Sequence, residues 1–343
     1  MDLQERIKLL VQLGKYLSSD ESSWLHTKDN ASRENAWFIP EFIDLAVENI
    51  YKEFLTDQRL TEFVKKYSID EVINSQLKVG IVLAGNIPLV GFHDLLCTFL
   101  TGHHAVLKLS SKDKVLMKHI VEKMQEWDNR SIPYFDIKDI IKGCDAYIAT
   151  GSNNSARYFE YYFSRYPHII RKNRTSVAIL DGKESTEKLG DLADDVYQYF
   201  GLGCRNVTKL YLPEGYDFVP LLEAFKKYNF LADHNKYRNN YDYNLSMLLL
   251  NNIYFMSNES ILLVEDDSPF SRIAQLNYEY YPSAERIRIQ LENDDRIQSI
   301  VGKGLIPLGA AQCPGLHSFA DGIDTMVFLK RLSVMDMLEI RKS

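Results

Sequence analysis

The sequence predicts an α/β protein in which parallel sheets follow a helical N-terminal segment. Three observations indicate this class. Apolar residues recur at helical spacing through residues 1–75, short apolar runs alternate with helix-like segments from residue 76 onward, and 45% of the 343 residues are hydrophobic against 25% charged. Such a composition is typical of a folded globular chain, and strands that alternate with helices are typical of a parallel sheet.

The N-terminal segment is predicted to be helical because its apolar side chains fall on stripes. Later stripes occur at residues 42–50 and 60–64, and Pro40 stands where a helix is expected to begin, since proline is accepted in a first helical turn. The first stripe consists of Leu3, Ile7, Leu10, Val11 and Leu17.

A first set of strands and helices is expected over residues 76–174. Each apolar run here is followed by a helix-like segment, which predicts βαβ units. Ligands bind at the carboxyl ends of parallel strands, and Asn86, Lys108 and Ser152 fall at those ends. The predicted strands are residues 79–84, 105–109 and 145–149.

A second set continues the α/β pattern to about residue 301. Residues 236–254 interrupt it, because they are rich in tyrosine and asparagine and are expected to be irregular. The predicted strands are residues 176–180, 208–212, 260–265, 273–281 and 297–301.

Charge and composition exclude several classes of protein. The net charge of −7 and the pI near 5.7 argue against binding to nucleic acid or to a membrane surface. Cations gather at residues 108–114 and 171–174, and both clusters are expected to face solvent. The apolar window 79–109 is interrupted by polar residues, and no secretory signal opens the chain, so we expect a cytoplasmic protein without a membrane span.

Metal and disulfide chemistry are not predicted. The four cysteines lack C-x-x-C spacing, and the side chains of the adjacent His103 and His104 diverge. Motifs for dinucleotide loops, phosphate loops, zinc proteases and serine nucleophiles are missing as well.

Cys204 is the strongest single candidate for chemistry. It follows Gly201 and Gly203 and directly precedes a strand-like run, so a substrate can approach both its sulfur and its backbone. The adjacent Arg205 is a cation that can favour the thiolate, which is the reactive form of cysteine. Taken alone, the same pattern also suits a small buried cysteine at the entrance of a strand.

Seven fragments occur in an order that is distinctive. They resemble the W-N-x-P, K-P-S, T-G-S, E-L-G-G-K, G-x-x-C, E-x-F-G-P and P-F-G-G elements of the aldehyde dehydrogenase superfamily. Within that superfamily, residues 75–330 resemble the acyl-CoA reductases of the bioluminescence fatty-acid reductase type. The fragments are Gly85-Asn86-Ile87-Pro88, Leu107-Lys108-Leu109-Ser110, Thr150-Gly151-Ser152, Ile179-Leu180-Asp181-Gly182-Lys183, Gly203-Cys204, residues 267–273 and Ile306-Pro307-Leu308-Gly309.

The resemblance implies an aldehyde dehydrogenase-like fold with two Rossmann-like parallel-sheet domains. The division it implies is a helical segment at 1–75, a cofactor-binding domain at 76–174 and a catalytic domain at 175–309. Residues 310–343 are expected to return to the cofactor-binding domain or to the domain interface. Because the chain is short for the family, an oligomerisation hairpin is expected to be reduced or rebuilt, and a homo-oligomer is left open.

The resemblance also implies an activity, namely reduction of an acyl-CoA or other acyl thioester to the aldehyde and free CoA. NADPH is the implied reductant, with NADH as the alternative. Cys204 is carried over as the nucleophile, and Asn86 with the Cys204 backbone N–H as the oxyanion donors. For Ser152 an ordinary helix cap is left open. The residues carried over as cofactor-binding are Lys108, Ser110, Thr150, Gly151 and Ser152.

Ile179 is a departure from the family pattern. Hydrolytic members carry a glutamate base at this position, whereas isoleucine cannot accept a proton. A thiol is therefore the expected acyl partner. Four alternatives stay open: a hydrolytic aldehyde dehydrogenase, a reductase of the glutamyl-phosphate type, a non-redox cysteine acyltransferase and an acyl-binding scaffold.

Overall fold

The computed structural model describes residues 1–72 and 75–340. The chain divides into two compact units, one formed by Met1–Lys172 with Gly315–Ser343 and the other by Asn173–Pro314. The assignment of separate functions to the predicted domains stays a prediction. Among the described residues, every helix is too short or too polar to span a bilayer.

The first unit begins with helices, as predicted. Asp2 and Glu5 form a capping box at the first helix, in which each side chain accepts a hydrogen bond from the other residue's backbone N–H. Pro40 opens the third helix, as expected. The helices are α1 (Leu3–Leu17), α2 (Ser22–Glu34), α3 (Pro40–Phe54) and α4 (Asp57–Tyr67).

A five-stranded parallel sheet follows in this unit, with the strand order β3-β2-β1-β4-β5. The sequence did not predict β3 and β5, because these edge strands have only three and four residues. The elements are β1 (Lys78–Val82), α5 (Phe92–Leu100), β2 (His104–Lys108), α6 (Val115–Trp127), β3 (Phe135–Ile137), β4 (Ala146–Thr150), α7 (Asn153–Phe163) and β5 (His168–Arg171).

The second unit contains a six-stranded sheet with the order β11-β6-β7-β10-β9-β8. Its strands are parallel except for β8, which pairs with β9 in antiparallel fashion. The elements are β6 (Thr175–Ile179), α8 (Thr186–Tyr197), β7 (Val207–Pro213), α9 (Phe218–Phe225), α10 (Asn235–Leu250), β8 (Met256–Ser257), β9 (Leu262–Glu265), β10 (Gln275–Tyr281), α11 (Ala284–Glu292) and β11 (Ile297–Gly302). The last helix, α12 (Thr325–Ile340), belongs to the first unit.

The prediction of an irregular segment at residues 236–254 was wrong, because α10 occupies most of it. One face of this helix is buried at helical spacing, and the buried Asn244 side chain donates a hydrogen bond to the Ile273 carbonyl. Tertiary burial of that face outweighs the weak helix propensity of tyrosine and asparagine. The buried face consists of Tyr237, Tyr241, Asn244 and Leu248.

The prediction that residues 171–174 face solvent was wrong for Arg171. Its side chain is only 4% exposed and forms an ion pair with the buried Asp94 of α5. It also donates a hydrogen bond of 2.9 Å to the Thr325 hydroxyl. Arg171 ends β5, where strand alternation turns it inward, and a buried charge requires such partners. Lys172 is exposed, as expected.

Candidate functional site

Cys204 lies in a tight turn at the start of β7. The backbone N–H of Asn206 donates to the Gly203 carbonyl at 3.1 Å, which closes a four-residue turn with Cys204 at its first central position. In return, the Gly203 N–H donates to Asn206 Oδ1 at 2.8 Å. The Cys204 side chain is half-buried, and none of the four cysteines, all within the described ranges, forms a disulfide.

The backbone before this turn is in the left-handed region. Tyr199, Phe200 and Gly201 have φ values of 55°, 57° and 73°. Only glycine adopts such values cheaply, so the first two residues are strained. Tyr199 and Phe200 are both buried, and the Phe200 ring packs against Tyr237. Residues 198–206 are called the cysteine loop below.

The Asn206 side chain is a part of this loop that sequence reasoning missed. Its amide is fully buried and donates to the carbonyls of Asp195, Val196 and Gln198 at 3.1, 3.3 and 2.8 Å. These carbonyls lie at the end of α8, where helical partners run out. In the sequence, an asparagine shortly after the glycines at positions 201 and 203 looks like an ordinary turn residue, so only the fold distinguishes it.

Ser176 anchors the opposite side of the cysteine loop. This buried residue of β6 donates from its hydroxyl to the Cys204 carbonyl at 3.1 Å, and its backbone N–H donates to the Asn206 carbonyl at 3.1 Å. The peptide groups on both sides of Cys204 are therefore held by buried polar groups.

Arg205 brings a positive charge next to the thiol in the chain. Its guanidinium donates a hydrogen bond to the Ser299 hydroxyl at 3.1 Å. Burial lowers the pKa of Arg205, and the charge of a Cys204 thiolate raises it. This attraction is mutual, so Arg205 favours the thiolate form of Cys204.

Asp195 joins α8 to a second family-like fragment, residues 306–309. Its buried carboxyl group accepts hydrogen bonds from the N–H groups of Gly309 and Ala311 at 2.7 and 2.9 Å. Burial raises the pKa of Asp195 to about 7, against the lowering effect of these two hydrogen bonds. The end of α8 thus holds this fragment through Asp195 and the cysteine loop through Asn206.

The family-like fragment at residues 267–273 forms the crossover between β9 and β10. Four successive carbonyls of this segment bind buried or half-buried side chains of β7 and β10. Lys209 Nζ donates to Asp267 at 2.7 Å, Thr208 Oγ1 to Pro269 at 2.6 Å, and Asn277 Nδ2 to Ser268 and Phe270 at 3.0 and 3.2 Å.

Ile179 ends β6 and is 8% exposed. It belongs to a small apolar cluster on one face of the sheet and offers no group that accepts a proton. Its buried partners there are Val177, Tyr211, Leu291 and Ile297.

In the first unit, the segments after β1 and β2 touch. A Cβ atom at Gly85 would come within 2.6 Å of Ser110 Oγ, so only glycine fits at this approach. Asn86 is half-buried in the turn that follows β1, and Lys108 is exposed at the end of β2. The structure therefore brings the Asn86 turn beside Ser110, as the prediction of one shared sheet edge required.

Thr150 ends β4, and Gly151 and Ser152 connect that strand to α7. Ser152 is the exposed N-cap of α7 and accepts a hydrogen bond of 3.3 Å from the Ser155 N–H. Because β4 pairs with β1 in parallel, this turn lies at the same sheet edge as the Asn86 turn. Ser152 thus has the capping role that was left open, and a ligand role for it stays a prediction.

The donors at this edge fit a dinucleotide. A lysine ammonium suits ribose hydroxyls, and the N-terminus of the 11-residue α7 suits a pyrophosphate. Within residues 1–72 and 75–340, no group of three metal-ligating side chains is present. The buried His103 accepts a hydrogen bond from the Leu77 N–H at Nδ1 and donates one from Nε2 to the Leu329 carbonyl.

Comparison with solved structures defines the class of fold. Aldehyde dehydrogenase 21 from Physcomitrella patens, solved with succinate, matches with a TM-score of 0.69 at 12% identity, over 97% of this chain and 85% of that one. The NAD⁺ complex of an aldehyde dehydrogenase from Bacillus cereus matches with a TM-score of 0.64 at 12% identity, over 88% and 72%. The predicted fold class, an aldehyde dehydrogenase-like α/β fold with two Rossmann-like sheets, is confirmed.

A family model gives the narrower assignment. The model of the acyl-CoA reductase (LuxC) family matches residues 46–219, which include Asn86, Lys108 and Cys204. The chain belongs to this family and is an oxidoreductase, as the fragments predicted. A search among curated proteins found no match.

Proposed function

We propose that this enzyme reduces an acyl-CoA thioester to an aldehyde and free CoA through an acyl-cysteine formed on Cys204. The observation that carries the proposal is the cysteine loop. A half-buried thiol lies on a turn that Asn206 and Ser176 hold from two sides, beside the cation of Arg205. Fixed geometry and a nearby positive charge are what a thiolate nucleophile needs.

In the first step the Cys204 thiolate attacks the carbonyl carbon of the thioester. The new C–S bond forms as the bond to the CoA sulfur breaks, and CoA leaves as a thiolate that takes up a proton. One thioester replaces another, so no redox change occurs. Asn86 and the Cys204 backbone N–H are the proposed donors to the oxyanion. In other enzymes, removal of one oxyanion donor raises the activation free energy by about 3 kcal/mol.

The proposed cofactor is NADPH, with NADH as the alternative. Lys108, Ser110 and the turn from Thr150 to Ser152 are the residues proposed to hold it, on the fit of their donors to a ribose and a pyrophosphate. When bound, the reduced nicotinamide supplies the hydride that turns the acyl group into an aldehyde. Release of the aldehyde breaks the bond to Cys204 and restores its thiolate.

Ile179 supports CoA exchange over hydrolysis. It stands at the family's base position, and its aliphatic side chain packs in an apolar cluster. Without a proton acceptor at this position, water is not activated there and a thiol is the proposed acyl partner.

The two units receive separate roles in this proposal. The unit with Met1–Lys172 carries the cofactor residues, and the unit Asn173–Pro314 carries Cys204. A cytoplasmic location and a homo-oligomer stay predictions.

The test is intact-mass spectrometry after mixing the enzyme with acyl-CoA and no cofactor. Wild type and Cys313→Ala, in which an exposed thiol is removed, should gain one acyl group, whereas Cys204→Ala should gain none. An equal adduct on Cys204→Ala would overturn the assignment. An adduct on Cys204 without binding of NADPH or NADH would favour the acyltransferase. Oxidation of free aldehyde to acid would favour the hydrolytic aldehyde dehydrogenase.

A further inference from the structure

The end of α8 and the turn of Cys204 share one side chain, that of Asn206. The last carbonyls of a helix lack partners within the helix and need donors from elsewhere. Here a single amide group, fully buried, serves the carbonyls of Asp195, Val196 and Gln198. The amide oxygen of the same side chain accepts from the Gly203 N–H, at 2.8 Å.

This network determines which way the carboxamide points. In the reverse orientation its oxygen would face three carbonyl oxygens and its NH₂ group would face the Gly203 N–H. Every contact would then be repulsive, so only the observed orientation pairs each donor with an acceptor. A planar group thus joins the helix end to the residue that precedes Cys204.

The hydrogen bonds of Asn206 hold a segment whose backbone is strained. Tyr199 and Phe200 have φ values of 55° and 57°, which cost free energy in residues other than glycine. Without the hydrogen bonds of Asn206, the cysteine loop could relax to conformations of lower backbone strain, in which the Cys204 side chain would point in a different direction. Asn206 bonds Gln198, the residue before the strained pair, and Gly203, three residues after Phe200, so its hydrogen bonds span that stretch.

We infer that Asn206 is a positioning residue that sets the orientation of the Cys204 thiol for acylation. This inference rests on the proposed function of Cys204. Asn206 touches neither substrate nor sulfur in this role and acts only through the backbone of the cysteine loop.

The test compares Asn206→Ala with a matched variant, Asn258→Ala. Asn258 is also a buried asparagine of the same unit with several hydrogen bonds, to Ser260, Ile261 and Leu222, and it lies outside the cysteine loop. Both variants should lower the thermal midpoint. Single-turnover acylation of Cys204 should fall by about tenfold or more in Asn206→Ala, since small misplacements of a nucleophile are costly. Asn258→Ala should stay within about twofold of wild type, because the hydrogen bonds of Asn258 to Leu222, Ser260 and Ile261 do not involve the cysteine loop.

Asn206→Asp keeps the size and the acceptor for Gly203 but replaces the NH₂ group by an oxygen. Burial among carbonyl oxygens raises the pKa of such a carboxyl group, which can donate one hydrogen bond only while it is protonated. Acylation relative to wild type at the same pH should therefore be better at low pH than at high pH. A residue that only fills space would show no such dependence.

Alkylation by iodoacetamide separates the two proposals. If wild type takes up no acyl group, the proposed function fails. The rate and pH profile of Cys204 alkylation still report whether Asn206 determines the orientation of the Cys204 thiol. Equal effects of Asn206→Ala and Asn258→Ala on acylation and alkylation, at equal loss of stability, would overturn the inference. A flat pH ratio for Asn206→Asp would overturn it as well.

Discussion

The carboxyl group of Asp113 accepts a hydrogen bond of 2.6 Å from the backbone N–H of Leu89. Leu89 has a φ of 56° and belongs to the turn that follows Asn86, whereas Asp113 follows Ser110. One buried carboxyl group therefore joins two of the three segments of the first unit that carry proposed site residues. Its second oxygen is buried without a hydrogen-bond partner in the described part of the chain.

We expect Asp113 to make the first unit less stable as the pH rises. Burial raises its pKa from 3.8 to about 7, partly opposed by the Leu89 N–H. Between these values the folded form holds a proton that the unfolded form has lost, so the free energy of unfolding falls by about 1.4 kcal/mol per pH unit. Asp113→Asn, which keeps an acceptor for Leu89, should reduce this slope.

The measurement is the unfolding of wild type and Asp113→Asn at several pH values from 4 to 8. Asp195 in the second unit, with a pKa also raised to about 7, contributes a similar slope, so the variant should reduce the dependence without abolishing it. Identical slopes for the two proteins would show that Asp113 ionises normally in the fold.

A base at position 179 should create hydrolysis. Ile179→Glu places a carboxylate where hydrolytic relatives carry one, and Ile179→Gln is the matched control, with the same shape and no base. The acyl-enzyme of the glutamate variant should lose its acyl group to water faster than that of the glutamine variant. Because the apolar cluster raises the pKa of a buried carboxyl group, the difference should grow as the pH rises.

The decay of the acyl adduct, followed by mass spectrometry without cofactor, measures this rate. Both variants bury a polar group in the same cluster, so their loss of stability should be similar at pH values where the glutamate is protonated. Equal decay in the two would mean that position 179 is not next to the thioester.

Lys108 should contribute to cofactor binding and Lys114 should not. Both side chains are exposed on the same segment, but only Lys108 ends a strand at the proposed site. Lys108→Met removes a charged hydrogen-bond donor, so the KM for the nicotinamide cofactor should rise about tenfold while kcat changes little.

Cofactor titration by fluorescence checks the same effect at equilibrium. Lys114→Met should bind the cofactor as wild type does. If both variants weaken binding to the same extent, the segment acts through its overall charge, and the specific role of Lys108 is lost.

Much of the fold follows from local patterns. The stripe from Leu3 to Leu17, the proline at position 40 and the apolar runs that became β1, β2 and β4 each require only residues close in sequence. The order of the fragments around Asn86 and Cys204 likewise lies in the chain alone, and it was sufficient for the family.

The sequence by itself thus determined the class of fold, the family and the candidate nucleophile. Only the tertiary structure decided that Arg171 is buried against Asp94, that Asn235–Leu250 form a helix, and that Asn206 holds the cysteine loop. The physical reason is range. Propensity and periodicity act between neighbours in the chain, whereas burial and buried hydrogen bonds depend on partners that folding brings from far away, as with Arg171 and Asp94, 77 residues apart.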